Sequence, residues 1–121
     1  MKIINIKNVP REELDLPLFT GKIVRQSPVK DMKGSDLSVD YIHFAEGIHN
    51  KYHTHSNDQV LIVTAGRGIV ATYEDGEKEI QEGDIVYAPA GEKHWHGAAP
   101  GFELTHISIT KAGTKLTQLE K

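Results

Sequence analysis

His53, His55 and Gln59, in the stretch "KYHTHSNDQVLIVTAG", and His94, in "GEKHWHG", are the residues whose types and spacing best suit a metal ion. Side chains two apart on a strand share a face, so His53 and His55 point the same way if that run is extended. Ser56-Asn57-Asp58 is a turn cluster, and a chain reversal there brings Gln59 beside the two imidazoles. His94 and His96 repeat the same-face arrangement 41 residues later. Three imidazole nitrogens and an amide oxygen make a reasonable donor set for a divalent Mn, Fe, Ni, Co or Zn. With no cysteine in the 121 residues, thiolate ligands, disulfides and cysteine nucleophiles are excluded, and a metal must be held by nitrogen and oxygen.

The elements that must position these groups read as strands. Short apolar or alternating runs are separated by turn residues, with almost nothing at helical period. Residues 3–7 look extended, and residues 9–17 have room for one helical turn at most between Pro10 and Pro17. "KIVRQ" reads as a strand, "SPVKDMKGSD" as an exposed loop, and "LSVDYIHF" as the next strand. Asp75-Gly76 between extended runs signals a hairpin. "DIVYAPAGEKHWHGAAPGF" and "ELTHISIT" supply the last strands, and the polar tail "KAGTKLTQLEK" is expected to fray. Eight to ten short strands predict an all-β sandwich or barrel in one domain, residues 1–121.

Composition narrows the partners. A net charge of −3 and a pI near 6.1 offer no basic face for a phosphate backbone, which points away from nucleic acid and toward a small molecule. The N-terminal stretch lacks the apolar core of a signal peptide and no run is long enough to span a bilayer, so the expectation is a cytoplasmic protein without membrane contact. "VLIVTA" and "DIVYA" are apolar on both alternating faces. Strands of that kind are covered on both sides, by the second sheet of a sandwich or by another copy of the chain, and a homodimer is the reading taken forward.

Alone, a His-x-His on a strand is more often structural than metal-binding. The full spacing is more specific. Residues 47–66 read G-x5-H-x-H-x3-Q-x6-G, from Gly47 through His53, His55 and Gln59 to Gly66; residues 83–94 read G-x5-P-x-G-x2-H, through Gly83, Pro89, Gly91 and His94. These resemble the two signature motifs of the cupin superfamily, in order and sixteen residues apart, from Arg67 to Glu82. The resemblance covers about residues 38–110, with residues 1–37 as N-terminal strands and loop, and it implies a small β-barrel of jelly-roll type. It departs from the family pattern at Gln59, where Glu is usual, and at Ala98, where Asn is usual. An amide in place of a carboxylate leaves the metal its full +2 charge, which favours bound anions and Lewis-acid chemistry over high oxidation states.

"LFTG", "QVLIVTAGRG", "GEKHWHGAAP" and "LTHISI" resemble more closely a subgroup of single-domain cupins with three His and one Gln as ligands, which includes carboxymuconolactone-decarboxylase-associated cupins and manganese-dependent hydroxynitrile lyases. The resemblance implies one divalent transition metal per chain on His53, His55, Gln59 and His94, manganese first with iron, nickel, zinc or cobalt as alternatives. It also implies a pocket lined by His96 and His106, with a neutral imidazole moving a proton. Strand alternation puts His96 on the His94 face, whereas the apolar Ile107 and Ile109 make the His106 face look like the outer one. Asp40 falls on the inner face of its strand with Ile42 and Phe44, as a base, a tuner of a nearby imidazole, or a solvated group at the strand's mouth. His43, His49 and Trp95 read as surface or packing residues. Three functions stay open: a metal-dependent lyase-like enzyme, a non-haem-iron-type dioxygenase, and a non-catalytic small-molecule binder.

Overall fold

Ten strands and one short 3-10 turn make up the regular structure of a computed structural model that describes residues 1–30 and 32–121. The strands are β1 (Glu12–Leu14), β2 (Ile23–Val29), β3 (Leu37–Phe44), β4 (His53–His55), β5 (Gln59–Thr72), β6 (Gly76–Gln81), β7 (Ile85–Ala88), β8 (His94–Ala98), β9 (Leu104–Lys111) and β10 (Leu116–Gln118). Their neighbours run β1-β2-β3-β9-β5-β8-β4-β10, with β6 and β7 also on β5, and the recorded pairings are antiparallel. This is the all-β barrel the sequence predicts.

β5 joins the barrel's two walls by serving both of them. Its first half pairs with β9 and β7, and its second half, from Arg67 onward, pairs with β6 and β8. The strand changes walls at Gly66, where φ is +84° and any Cβ would run into the Glu103 carbonyl. Only glycine fits that crossing. Side chains on the inner faces then meet in a core of Ile23, Phe44, Val63, Ile80, Ala98 and Leu104. Ala98 is 3% exposed in that core, so the small residue at this motif position is a packing choice.

The Asp75-Gly76 hairpin forms as expected: Thr72 pairs with Gly76, and the Thr72 hydroxyl accepts the Asp75 N–H at 2.9 Å. Other expectations are corrected. Residues 3–7 are not a strand; the turn Ile6–Asn8 forms instead, because the Asn5 side chain accepts the Lys7 N–H and favours a local bond over a ladder. Residues 9–17 hold no helical turn but the strand β1, drawn out by pairing with Ile23–Arg25. β2 runs into the expected loop as far as Val29, tolerating Pro28 at a register shift where β1 no longer covers it. Asp31 of that loop lies outside the described residues. The tail does not fray at Leu116–Gln118, which pair with His55–His53 as β10. No helix among the described residues is long and apolar enough to cross a membrane.

Candidate metal centre

The histidine pairs are brought together by one cross-strand contact. His53 on β4 stands opposite His94 on β8, with ring centroids 4.4 Å apart. His55 follows on the same face, its ring 4.9 Å from His53 and 5.3 Å from His94. Gln59 opens β5 after the bend at Ser56-Asn57 and is 4% exposed. The turn is pinned from outside the barrel: Asp58 accepts the Tyr87 hydroxyl and the Ala90 N–H, each at 2.8 Å, and these bonds hold its carboxyl below the usual range. Gly91, at φ +81°, donates its N–H to the His55 carbonyl at 3.0 Å, so the Pro-x-Gly of the second motif is tied to the His-x-His of the first.

Which atoms face inward follows from what the other atoms are bonded to. His53 Nδ1–H donates to the Lys51 carbonyl, 2.6 Å, and His94 Nδ1–H donates to the Glu92 carbonyl, 2.8 Å. A neutral imidazole that spends its proton on Nδ1 offers a bare Nε2. Gln59 Nε2 donates to Ser108 Oγ at 2.9 Å, which leaves Oε1 as the inward atom. Nε2 of His53, His55 and His94 and Oε1 of Gln59 are all buried and have no hydrogen-bond partner among the described residues. Four unpaired lone-pair donors in one buried place are costly unless something electron-poor sits among them. The set fits a divalent transition metal.

His96 also lies close: it, His53 and His94 each place a ring nitrogen within 4.8 Å of the others. Proximity and availability differ here. His96 Nδ1 is 3.0 Å from His106 Nε2, and its Nε2 receives Asn50 Nδ2 at 3.3 Å, so both nitrogens are engaged. His55 and Gln59, with bare inward atoms, complete the set better than His96 does.

Burial keeps His53, His55, His96 and His106 neutral. Desolvation lowers His53 to about 3, against the opposing Lys51 hydrogen bond, with His94 and His55 adding to the fall. It lowers His55 to about 4 with help from His94, lowers His106 to about 4, and takes His96 well below its ordinary value.

The structure puts His96 and His106 side by side on the inner face, 4% and 0% exposed. The alternation reading that turned His106 outward is therefore overturned. The outward face of β9 carries Ile107 and Ile109, which lie half-buried on the barrel's exterior. Asp40 is half-buried and lines the same cavity as Phe19, Ile42, Asn50 and Ser108, and its Oδ1 is buried with no hydrogen-bond partner among the described residues. The cavity is about 110 Å³, and among the described residues its lining includes no Lys or Arg. His43 and His49 are half-buried and hydrogen-bonded. His43 bridges Thr105 Oγ1 (3.0 Å) and Gln26 Oε1 (2.7 Å), while His49 Nδ1–H donates to the Asn50 carbonyl (2.8 Å) and its ring lies 4.4 Å from that of Trp95. Asn50 and Ser108 are the site residues that sequence reasoning missed. Neither has an alternation or spacing signal, since each acts on a partner 46 or 49 residues away.

A cupin domain pattern matches residues 40–108. The chain belongs to the cupin family. Among curated proteins it is 47% identical over 66 residues to an (R)-mandelonitrile lyase from Granulicella tundricola, a match covering 54% of this chain and 50% of the lyase. It is 33% identical over 61 residues to an acireductone dioxygenase from Parasynechococcus marenigrum, covering 46% of this cupin and 33% of that protein. This cupin thus spans about half the length of the first relative and a third of the second. A cupin-like protein from Thermotoga maritima superposes with TM-score 0.86 at 30% identity, over 94% of this chain and 89% of that one. The polyketide cyclase RemF from Streptomyces resistomycificus shares the fold, with TM-score 0.88 at 16% identity, over 100% and 87% of the two chains.

Proposed function

We propose that this cupin holds one divalent transition metal, manganese in the first instance, on Nε2 of His53, His55 and His94 and Oε1 of Gln59, and acts as a metal-dependent lyase on a small organic molecule. The carrying observation is that these four atoms are buried, inward and unpartnered while the remaining polar atoms of His53, His94 and Gln59 are hydrogen-bonded. A metal there would act as a Lewis acid, polarising a carbonyl or stabilising a leaving anion, and four neutral donors would leave its +2 charge undiminished.

The chain's own residues divide the remaining tasks. Leu18, Phe19, Ile42 and Leu116 give the cavity apolar walls that exclude water and limit the substrate to a few heavy atoms beyond the reacting group. His96 and His106, in contact and kept neutral by burial, exchange the proton. Asp40, an acidic group on the lining, repels carboxylate-bearing substrates and offers an acceptor to a substrate hydroxyl. The (R)-mandelonitrile lyase among the relatives supports cyanohydrin cleavage as the first reaction to assay.

The deciding experiment is elemental analysis of tag-free protein beside a His53→Ala/His55→Ala variant, followed by cyanohydrin cleavage and oxygen-uptake assays. About one metal per chain, lost in the variant, with cleavage and no oxygen uptake, is the expected result. Metal-free protein under every loading condition would overturn the reading. The acireductone dioxygenase relatives support a second reading, oxygen chemistry on iron. Oxygen uptake by the iron form would select it, although the neutral Gln59 weighs against it.

A homodimer through the outer face of β3, β9, β5 and β7 accompanies the proposal. Val39, Ile109, Val60 and Tyr87 lie in register across these four strands, as do Tyr41, Ile107, Ile62 and Ile85. Ile85 and Tyr87 are 69% and 61% exposed in the single chain. A continuous apolar strip of this kind suits a self-complementary interface.

A further inference from the structure

Asn50 and His96 share three hydrogen bonds. The Asn50 N–H donates to the His96 carbonyl at 3.0 Å, the His96 N–H donates to Asn50 Oδ1 at 2.8 Å, and Asn50 Nδ2 donates to His96 Nε2 at 3.3 Å. The second bond fixes the third. A backbone N–H cannot turn into an acceptor, so the amide oxygen must face it and the amide N–H must face the imidazole. His96 Nε2 therefore has to be the bare nitrogen, and the ring's proton sits on Nδ1. Nδ1–H then donates to His106 Nε2 at 3.0 Å, which makes Nε2 of His106 bare in turn and puts that ring's proton on Nδ1. His106 Nδ1 is buried and has no hydrogen-bond partner among the described residues, so it is the open end of the chain.

We propose that Asn50 is the positioning residue that fixes the direction of the His96–His106 pair, holding both rings in the Nδ1–H tautomer so that the pair rests with its proton ready to be given from His106. Release of that proton to the leaving anion is balanced by transfer of the His96 Nδ1 proton to His106 Nε2 and by uptake at His96 Nε2 of the proton that the cleaved substrate hydroxyl gives up. The product arrangement sets a His96 Nε2–H against the Asn50 N–H, two donors facing each other, and this mismatch drives the pair back to its resting direction. Asn50, 3% exposed and bonded through its side chain at both ends, has no room to rotate and relieve it. The role in turnover rests on the lyase reading, whereas the tautomers themselves do not.

The test is nitrogen NMR of protein labelled with 15N-histidine and loaded with diamagnetic zinc, with the His96 and His106 signals assigned by single substitutions. In the wild type, Nδ1 of both rings is expected to give the protonated-type signal and Nε2 the bare type. In Asn50→Asp the side chain still accepts the His96 N–H but offers an acceptor to the ring, so the two signal types are expected to change places in both histidines. Asn50→Ala, which removes the bias, is expected to give a mixture. A protonated His96 Nε2 in the wild type overturns the proposal whatever the variants do, and so does an unchanged pattern in Asn50→Asp. The expected pattern in a protein without lyase turnover would remove the lyase reading and leave the assignment of Asn50 standing.

Discussion

His53 and His94 face each other across β4 and β8 with ring centroids 4.4 Å apart, and each gives its Nδ1 proton to the carbonyl two residues before it, Lys51 in one case and Glu92 in the other. The same local device thus appears once in each sequence motif. It fixes ring orientation and tautomer from the backbone, so substitution of the neighbouring side chains does not disturb it.

Gln59 has no such backbone anchor and depends on Ser108. Ser108→Ala is expected to weaken metal binding by about 10–100-fold, the usual cost of losing a group that orients a ligand. Competition with a chromophoric chelator measures this, and unchanged affinity would show that the amide is held by packing alone.

Restoring the family's usual carboxylate tests the charge argument. Gln59→Glu is expected to lower the affinity of the loaded site for azide or cyanide by at least about tenfold, because a negative charge about 4 Å away offsets part of the metal's charge. Equal anion affinities in the two proteins would remove that argument.

The buried imidazoles make the metal-free protein acid-sensitive. His53, His55 and His106 stay neutral in the fold down to about 3, 4 and 4, whereas in the unfolded chain they take up protons near 6.5. Between those limits the unfolded state binds more protons, so stability rises with pH. Their contribution is fully present above about pH 6.5 and is lost as the pH falls toward 3 to 4. Urea midpoints are expected to be flat from pH 8 to 7 and to drop steadily from 6.5 to 4, with a shallower drop in His106→Gln. A flat profile through pH 5 would contradict the burial of these groups.

Phe44 is the floor under the His96–His106 pair, its ring 5.3 Å from His106, 6.2 Å from His96 and 6.1 Å from Phe19. Phe44→Ala should cost about 3–5 kcal/mol, the usual range for a buried aromatic truncated in a core. Chemical denaturation measures it, and a loss below about 1 kcal/mol would mean the neighbours close the space.

The outer strip gives a prediction about assembly. Ile85→Lys is expected to convert a dimer into a monomer in sedimentation experiments, since a charge opposite its own copy cannot be buried cheaply. A wild type that sediments as a monomer would remove the interface.

Much of this site was legible because candidate metal ligands, turn glycines and strand alternation leave marks at short range. Gly66 and Gly91 each stand where the backbone needs a positive φ, and His53 and His55 alternate as strand neighbours must. His106 was harder to place, because β9 is apolar on its outward side at Ile107 and Ile109 and polar on its inward side at His106 and Ser108, the reverse of the usual rule for a half-buried strand. A polar cavity inside and an apolar strip outside produce that inversion. Asn50 and Ser108 left no mark, because their partners are distant in sequence and their roles exist only after the strands pair. β1 and β10 were missed for a related reason: three-residue strands carry too little pattern and are drawn out by the neighbours they pair with.

The single register pair that joins β4 to β8 has a kinetic consequence. The two halves of the histidine cluster are strangers until loops of some forty residues have closed, and closing such loops precedes any reward from the contacts they allow. Folding through pairings of this span is slow, on the order of milliseconds to seconds. A partly formed barrel would present two isolated histidine pairs and no gathered cluster, so the appearance of tight metal binding during refolding would time the last closure of the chain.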